Sequence, residues 1–143
     1  MTVQPYLSFE GRAEEAATFY VKAIDAKIEA LMRFKDAPPM EEGCAPPEGC
    51  QPGPAMTPEK VMHMCLKVGD TTMMASDGMC SGRAAFQGIS LALSCKSEAE
   101  ANKRFAALGE GGEVQMPLAK TFFSPAFGMV ADKFGVSWMV VVM

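Results

Sequence analysis

The sequence predicts an α+β fold in which one βαβββ module occurs twice in tandem. Three observations predict it. Apolar residues pass from alternating to helical spacing and back, in the same order in both halves of the chain. The halves also agree in detail: Gly11 precedes Phe19 by eight residues, as Ser97 precedes Phe105, and a shift of 86 residues sets Leu7 on Leu93. Finally, two hairpins, around Gly69-Asp70 and Asp132 to Gly135, match at a shift near 65 that sets Asp70 against Gly135 and Met74 against Met139. The shifts differ by a Pro-rich stretch found in the first half alone. A duplicated module with one insertion explains this more economically than chance similarity between two short α/β units.

Each element has a local reason. Thr2 to Phe9 reads as a strand ended by Glu10-Gly11, and Ala13, Ala16, Ala17, Tyr20 and Ile24 form an apolar helical stripe over residues 12–24. Lys27 to Phe34 alternates as a strand, with Ile28, Ala30, Met32 and Phe34 on one face and Lys27, Glu29 and Arg33 on the other. From Lys35 to Pro58 there is no usable period. This stretch holds seven of the ten prolines with Cys44 and Cys50, and reads as either a lid or a surface excursion. Val61 to Val68 and Thr71 to Ser76 form a hairpin on the two-residue turn Gly69-Asp70. Asp77 to Ala85 reads as a polar linker.

The second half begins with a strand over Ile89 to Cys95. Ser97 and Glu100 then have the spacing of a capping box, Ala101, Phe105 and Leu108 continue the helix, and Gly109 is placed to end it. A strand near Glu113 to Leu118 precedes the closing hairpin of Phe127 to Ala131 and Val136 to Val142, joined through turn residues Asp132 to Gly135.

Composition narrows the function. A chain of 143 residues, 49% hydrophobic and 21% charged, suits one globular domain built of two modules, about residues 1–79 and 86–143. A net charge of −4 without a basic cluster argues against nucleic acid. No apolar run approaches the roughly 20 residues of a membrane span. The N-terminus lacks the charged and apolar regions of a secretory signal. Five cysteines, an odd number, suggest no disulfide framework and hence a reduced, cytoplasmic setting.

Few residues are suited to chemistry. His63 is the only histidine. Strand alternation sets it on one face with Cys65, Lys67, Thr72, Met74 and Ser76, opposite Met62, Met64, Leu66, Met73 and Ala75, which read as the helix-packed core face. It reads as a partly buried histidine bonded to its neighbours, or as a polar contact or general base for a small ligand, and so is the best candidate for a catalytic group. One histidine without two further ligands does not fix an ion. Cys65 shares its face, but a thiolate nucleophile needs a third, orienting group, and none is evident in the sequence. Cys44 and Cys50 lack the second pair of a zinc site. The 13 methionines fill core gaps or line a cavity for apolar ligands.

The run Asp132 to Trp138, with its Asp-x-x-Gly turn entering an apolar strand, resembles the last hairpin of the vicinal oxygen chelate superfamily, the glyoxalase, bleomycin-resistance and extradiol dioxygenase proteins. Together with Tyr6 to Ala17, Met32 to Phe34, and Lys60 to Met64 with Gly69-Asp70, the chain is most similar to its PhnB-like branch. The resemblance implies cup-shaped mixed sheets and a homodimer. In metal-binding members the ligands stand on the first and last strands of each module. The matching positions here are Gln4 and Ser90, and Met74 and Met139, and of these only Gln4 suits a hard cation.

The expectation is therefore a PhnB-like protein that binds a small, partly apolar molecule in its cup without the family metal or another cofactor. The ligand would meet His63, Cys65, Met74, Ser90, Met139 and Gln4, with Trp138 or Phe127 as an aromatic wall. A metal-dependent lyase, isomerase, dioxygenase or thiol transferase, with divalent metal as cofactor, is the main alternative. A non-catalytic domain whose cup is filled by its own side chains is another. The branch also carries a label as ubiquinone-pathway methyltransferase-like, but no strand precedes a glycine-rich loop suited to a nucleoside cofactor.

Overall fold

The computed structural model describes residues 1–36, 58–78 and 82–143. The Pro-rich stretch between Lys35 and Pro58, with its lid and excursion readings and Cys44 and Cys50, thus lies almost wholly outside the described residues. The elements are β1 (Tyr6–Ser8), α1 (Ala13–Ile24), β2 (Lys27–Arg33), a 3-10 turn (Phe34–Asp36), β3 (Val61–Val68), β4 (Thr71–Ser76), β5 (Leu91–Cys95), α2 (Glu98–Leu108), β6 (Glu113–Ala119), β7 (Phe127–Ala131) and β8 (Ser137–Val142). Among the described residues no helix is long and apolar enough to cross a membrane.

The chain falls into two compact units, Met1–Val21 with Asp25–Ala84, and Lys22–Ile24 with Ala85–Met143. Each carries a four-stranded mixed sheet of the same order, β1-β4-β3-β2 and β5-β8-β7-β6, with its first strand parallel to its last. The repeat extends to register: Leu7 stands opposite Ala75 as Leu93 stands opposite Val140, which are the two sequence shifts of 86 and 65.

In the first unit, β1 is shorter than the expected Thr2 to Phe9. Pro5 has no N–H to give to a ladder; its carbonyl accepts the Met74 N–H at 2.9 Å, and the strand proper begins after it. Two register shifts between β2 and β3, at Ile28/Ala30 and Met32/Arg33, change the side-chain alternation. Ile28 lies opposite Leu66 and Leu31 opposite Met64, whereas Ala30 and Met32 lie opposite Cys65 and His63 on the other face. Ile28 therefore does not share a face with Ala30 and Met32. For the same reason Val61, rather than Met62, joins Met64 and Leu66 in the core. The turn needs a glycine: Gly69 has φ +57° at its first central position, a conformation that suits a two-residue hairpin.

Asp77 is no surface linker residue. It is 2% exposed, its Oδ1 accepts the Ala13 N–H at 2.7 Å, and its Oδ2 accepts the Val61 N–H at 2.6 Å. It closes the N-terminus of α1, where Arg12 offers no side-chain cap, and holds the bulged end of β3.

In the second unit Trp138, Val140 and Val142 face inward, and α2 packs on β8 and β7. Ser97 Oγ caps α2 by accepting the Glu100 N–H at 3.1 Å. The Glu100 carboxylate accepts from Lys96 N–H, one residue before the position a reciprocal box uses. The Asp132 carboxylate organises the closing turn, accepting from the N–H groups of Phe134 and Val136 and from Trp138 Nε1. That bond turns Trp138 into the core, so it is no wall of an open face.

Candidate functional site

The first sheet has a buried face and a partly exposed one. The exposed face carries a row of directly opposed residues, Tyr6 on β1, Met74 on β4, Cys65 on β3 and Ala30 on β2, with Met32 opposite His63 alongside. His63, Cys65 and Met74 are each half-buried. The expected face of the hairpin is therefore the exposed one, and three of the expected ligand-contacting residues come together on it.

A fourth group, absent from the expected set, is Tyr6. Its ring stacks on the His63 imidazole with centroids 5.8 Å apart, and its hydroxyl lies 3.4 Å from His63 Nδ1. On the other side of the ring, Cys65 Sγ lies 3.5 Å from Nε2. Both imidazole nitrogens are thus engaged, which leaves two proton arrangements: a thiol donating to Nε2 with Nδ1–H donating to the phenol oxygen, or the reverse. Alternation from Gln4 would put Tyr6 on the same face, a local signal that the expected set left out. Only the pairing of β1 with β4 brings it to His63.

Gln4 precedes β1, and Ser90 precedes β5; both are exposed. Met139 lies on the exposed face of the second sheet, in a row of Ala92, Met139, Met129 and Met116. Phe127, opposite Val141, is on that face too, its ring edge-on to Phe123 at 5.1 Å. Its central row is apolar and thioether-rich.

Neither sheet presents the donors a hard divalent ion requires. Among the described residues no three His, Cys, Asp or Glu side chains converge, and the central positions carry the thioethers of Met74 and Met139. Among the described residues, the donor set does not fit the superfamily's metal.

A concavity of about 600 Å³ in the first unit lies at the N-terminus of α1. Its charges compensate one another. Arg33 grips Glu14 through two hydrogen bonds of 2.9 Å, Arg12 pairs with Glu15, Lys35 pairs with Glu59, and Lys60 Nζ donates to the Gly11 carbonyl. The hydrogen-bonded Arg33 guanidinium holds the Glu14 carboxyl below its ordinary range, and the Glu14 carboxylate raises Arg33 in turn.

Comparison with known proteins places the chain. Residues 1–141 match the model of the 3-demethylubiquinone-9 3-methyltransferase family. The chain belongs to that family. Protein YjdN of Escherichia coli (strain K12), a relative, is 32% identical, over 98% of this chain and 94% of its own. Protein PA1353 from Pseudomonas aeruginosa has a solved structure that is 37% identical and similar at a TM-score of 0.80, over 99% of this chain and 97% of that one. A structure from Bacillus cereus described as a PhnB protein and putative 3-demethylubiquinone-9 3-methyltransferase is 28% identical at a TM-score of 0.77, over the whole of both chains. The fold alone extends further, to the fosfomycin resistance protein FosX of Listeria monocytogenes, at 8% identity and a TM-score of 0.63 over 100% of this chain and 93% of that one. The PhnB-like resemblance and the glyoxalase-type α+β fold both hold.

Methyl transfer, which the family's description names, requires a bound methyl donor. The junction from β1 into α1 contains one glycine, Gly11, and that from β5 into α2 contains none. These residues do not fit the close backbone approach that a glycine-rich loop gives a nucleoside cofactor.

Proposed function

We propose that this member of the family binds a small, partly apolar molecule on the exposed face of its first sheet, without the superfamily's metal. The observation that carries the reading is the line of Tyr6, His63 and Cys65 beside Met74, Ala30 and Met32. It sets a short polar track in apolar surroundings, the composition of a small-molecule site. His63 is the principal polar contact. The thioether-rich face of the second sheet, with Met139, is an apolar surface of the second unit. A homodimer is part of this reading, supported by exposed apolar side chains on the edge strands, Ile28 and Met32 on β2 and Val114 and Met116 on β6. A reducing, cytoplasmic setting is supported by the free thiols of Cys65 and Cys95.

The test is metal content and native mass spectrometry of untagged protein purified without chelator, followed by thermal shifts with Mn²⁺, Ni²⁺, Zn²⁺ and Fe²⁺. The expected outcome is a copurifying organic species whose occupancy drops in His63→Ala, and no stabilisation by metal. Stoichiometric metal whose stabilisation vanishes in His63→Ala would overturn the reading. Light scattering on the same sample reads the oligomeric state.

A further inference from the structure

Cys65, His63 and Tyr6 stand in the order that activates a nucleophile: sulfur within reach of one imidazole nitrogen, and the other nitrogen engaged by a third group. The strand and sheet produce this order. Cys65 and His63 share a face because they are two apart on β3. Tyr6 reaches the imidazole from β1, on the far side of β4. The thiol is free and half-buried rather than sealed. Its partner on β2 is Ala30, an exposed residue whose side chain is only a methyl group and so leaves room beside the sulfur among the described residues. Met74 and Met32 give the surroundings an apolar, polarisable character suited to a soft electrophile.

We propose that Cys65 is a nucleophile toward α,β-unsaturated carbonyl compounds, with His63 as its base and Tyr6 as the residue that positions His63. The proposal rests on the reading of this face as the ligand site and adds a covalent step to it. In that step the Cys65 thiol proton passes to His63 Nε2, while His63 Nδ1–H donates to the Tyr6 hydroxyl oxygen. The sulfur lone pair forms a C–S bond to the β-carbon, and the alkene π pair moves into the enolate. The proton on Nε2 then passes to the α-carbon. The net change is addition of S–H across one C=C bond, with no oxidant, reductant or co-reactant.

The test follows alkylation of the full chain by N-ethylmaleimide, an electron-poor alkene, with the rate at each cysteine read by peptide mass spectrometry between pH 6 and 9. Cys95 is the internal reference: it is buried on β5, and burial, reinforced by the Glu100 carboxylate, raises its thiol above the ordinary range. Cys65 is expected to react faster than glutathione at pH 7 and far faster than Cys95. His63→Gln slows Cys65 by about tenfold or more at pH 7 and by progressively less toward pH 9, where hydroxide replaces the base. A purely structural role for His63 would not produce that convergence. Tyr6→Phe removes one hydroxyl from an exposed ring and slows Cys65 about threefold at pH 7, with the same convergence.

Equal Cys65 rates in wild type and His63→Gln, with Cys95 still unlabelled, overturn the proposal. If His63→Gln opens the fold and exposes Cys95, the Tyr6→Phe rate decides in the same way. Failure here is distinguishable from failure of the binding reading. A copurifying species whose occupancy still drops in His63→Ala, while the alkylation rates ignore His63, leaves a binding site without a nucleophile.

Discussion

Asp77→Asn removes no side-chain volume and still breaks the junction on which the first unit depends. Each carboxylate oxygen of Asp77 accepts one backbone N–H, that of Ala13 at 2.7 Å and that of Val61 at 2.6 Å, on a residue only 2% exposed. An amide keeps one acceptor and turns an NH₂ group toward the other donor, so one buried N–H loses its partner, at about 1–3 kcal/mol. Loss of the negative charge from the first turn of α1 adds about 0.3–1 kcal/mol. The total, about 1.3–4 kcal/mol, corresponds to a fall in Tm of roughly 4–13 °C for a chain of this size. Urea unfolding followed by far-UV circular dichroism measures it as a lower midpoint at unchanged slope. Asp77→Ala leaves both donors unpaired and is expected to cost more. A change below about 0.5 kcal/mol in Asp77→Asn would refute the reasoning, since it would match an ordinary surface substitution. The consequence reaches the site, because Val61 lies at the bulge whose register sets His63 on the exposed face.

Two further outcomes are expected. In Gly128→Ala the new methyl would lie 2.7 Å from Phe105 Cε2 and 2.9 Å from Leu118 Cα. Because Leu118 presents backbone that cannot rotate away, a loss of about 1–3 kcal/mol is expected, read from the urea midpoint by Trp138 fluorescence, and an unchanged midpoint would show room that the packing lacks. The Glu14–Arg33 pair gives an acid-side effect. Glu14 is depressed below its ordinary value of 4.5, so the pair stabilises the fold above that pH and its contribution fades as pH falls through the lowered value. The difference in urea midpoint between wild type and Glu14→Gln is expected at pH 7, small because the pair is exposed, and should shrink below pH 4.5 and in high salt. A difference that grows on acidification would reverse the sign.

Local signals carried most of the architecture. The alternation of β3 and β4, the helical stripe of α1, Ser97 at the head of α2 and the turn glycines each depend on neighbours within a few residues, and each is legible for that reason. The repeat, visible as Leu7 on Leu93 and Met74 on Met139, returns as two sheets of one strand order. Alternation also grouped His63, Cys65 and Met74 correctly, because the β3–β4 ladder runs without interruption through Cys65 and Met74. It failed where a bulge inserts a residue. Met62 was expected in the core and Val61 takes that place, and Ile28 was grouped with Ala30 although a register shift separates them. Asp77 looked like a linker residue because its two partners are 64 and 16 residues away in sequence.

By itself the sequence determined the elements, their order, the duplication and the faces of the uninterrupted strands, since period and turn chemistry act over short range. The tertiary structure alone decided what meets across the sheet. Tyr6 reaches His63 over 57 residues of chain because β1 runs parallel to β4, and that crossover leaves no trace in any local pattern. Trp138 turns inward because the Asp132 carboxylate, six residues earlier, is buried and takes its N–H. Pairings of this kind depend on which strands become neighbours and in what register, a choice made by burial of the whole sheet rather than by any one segment.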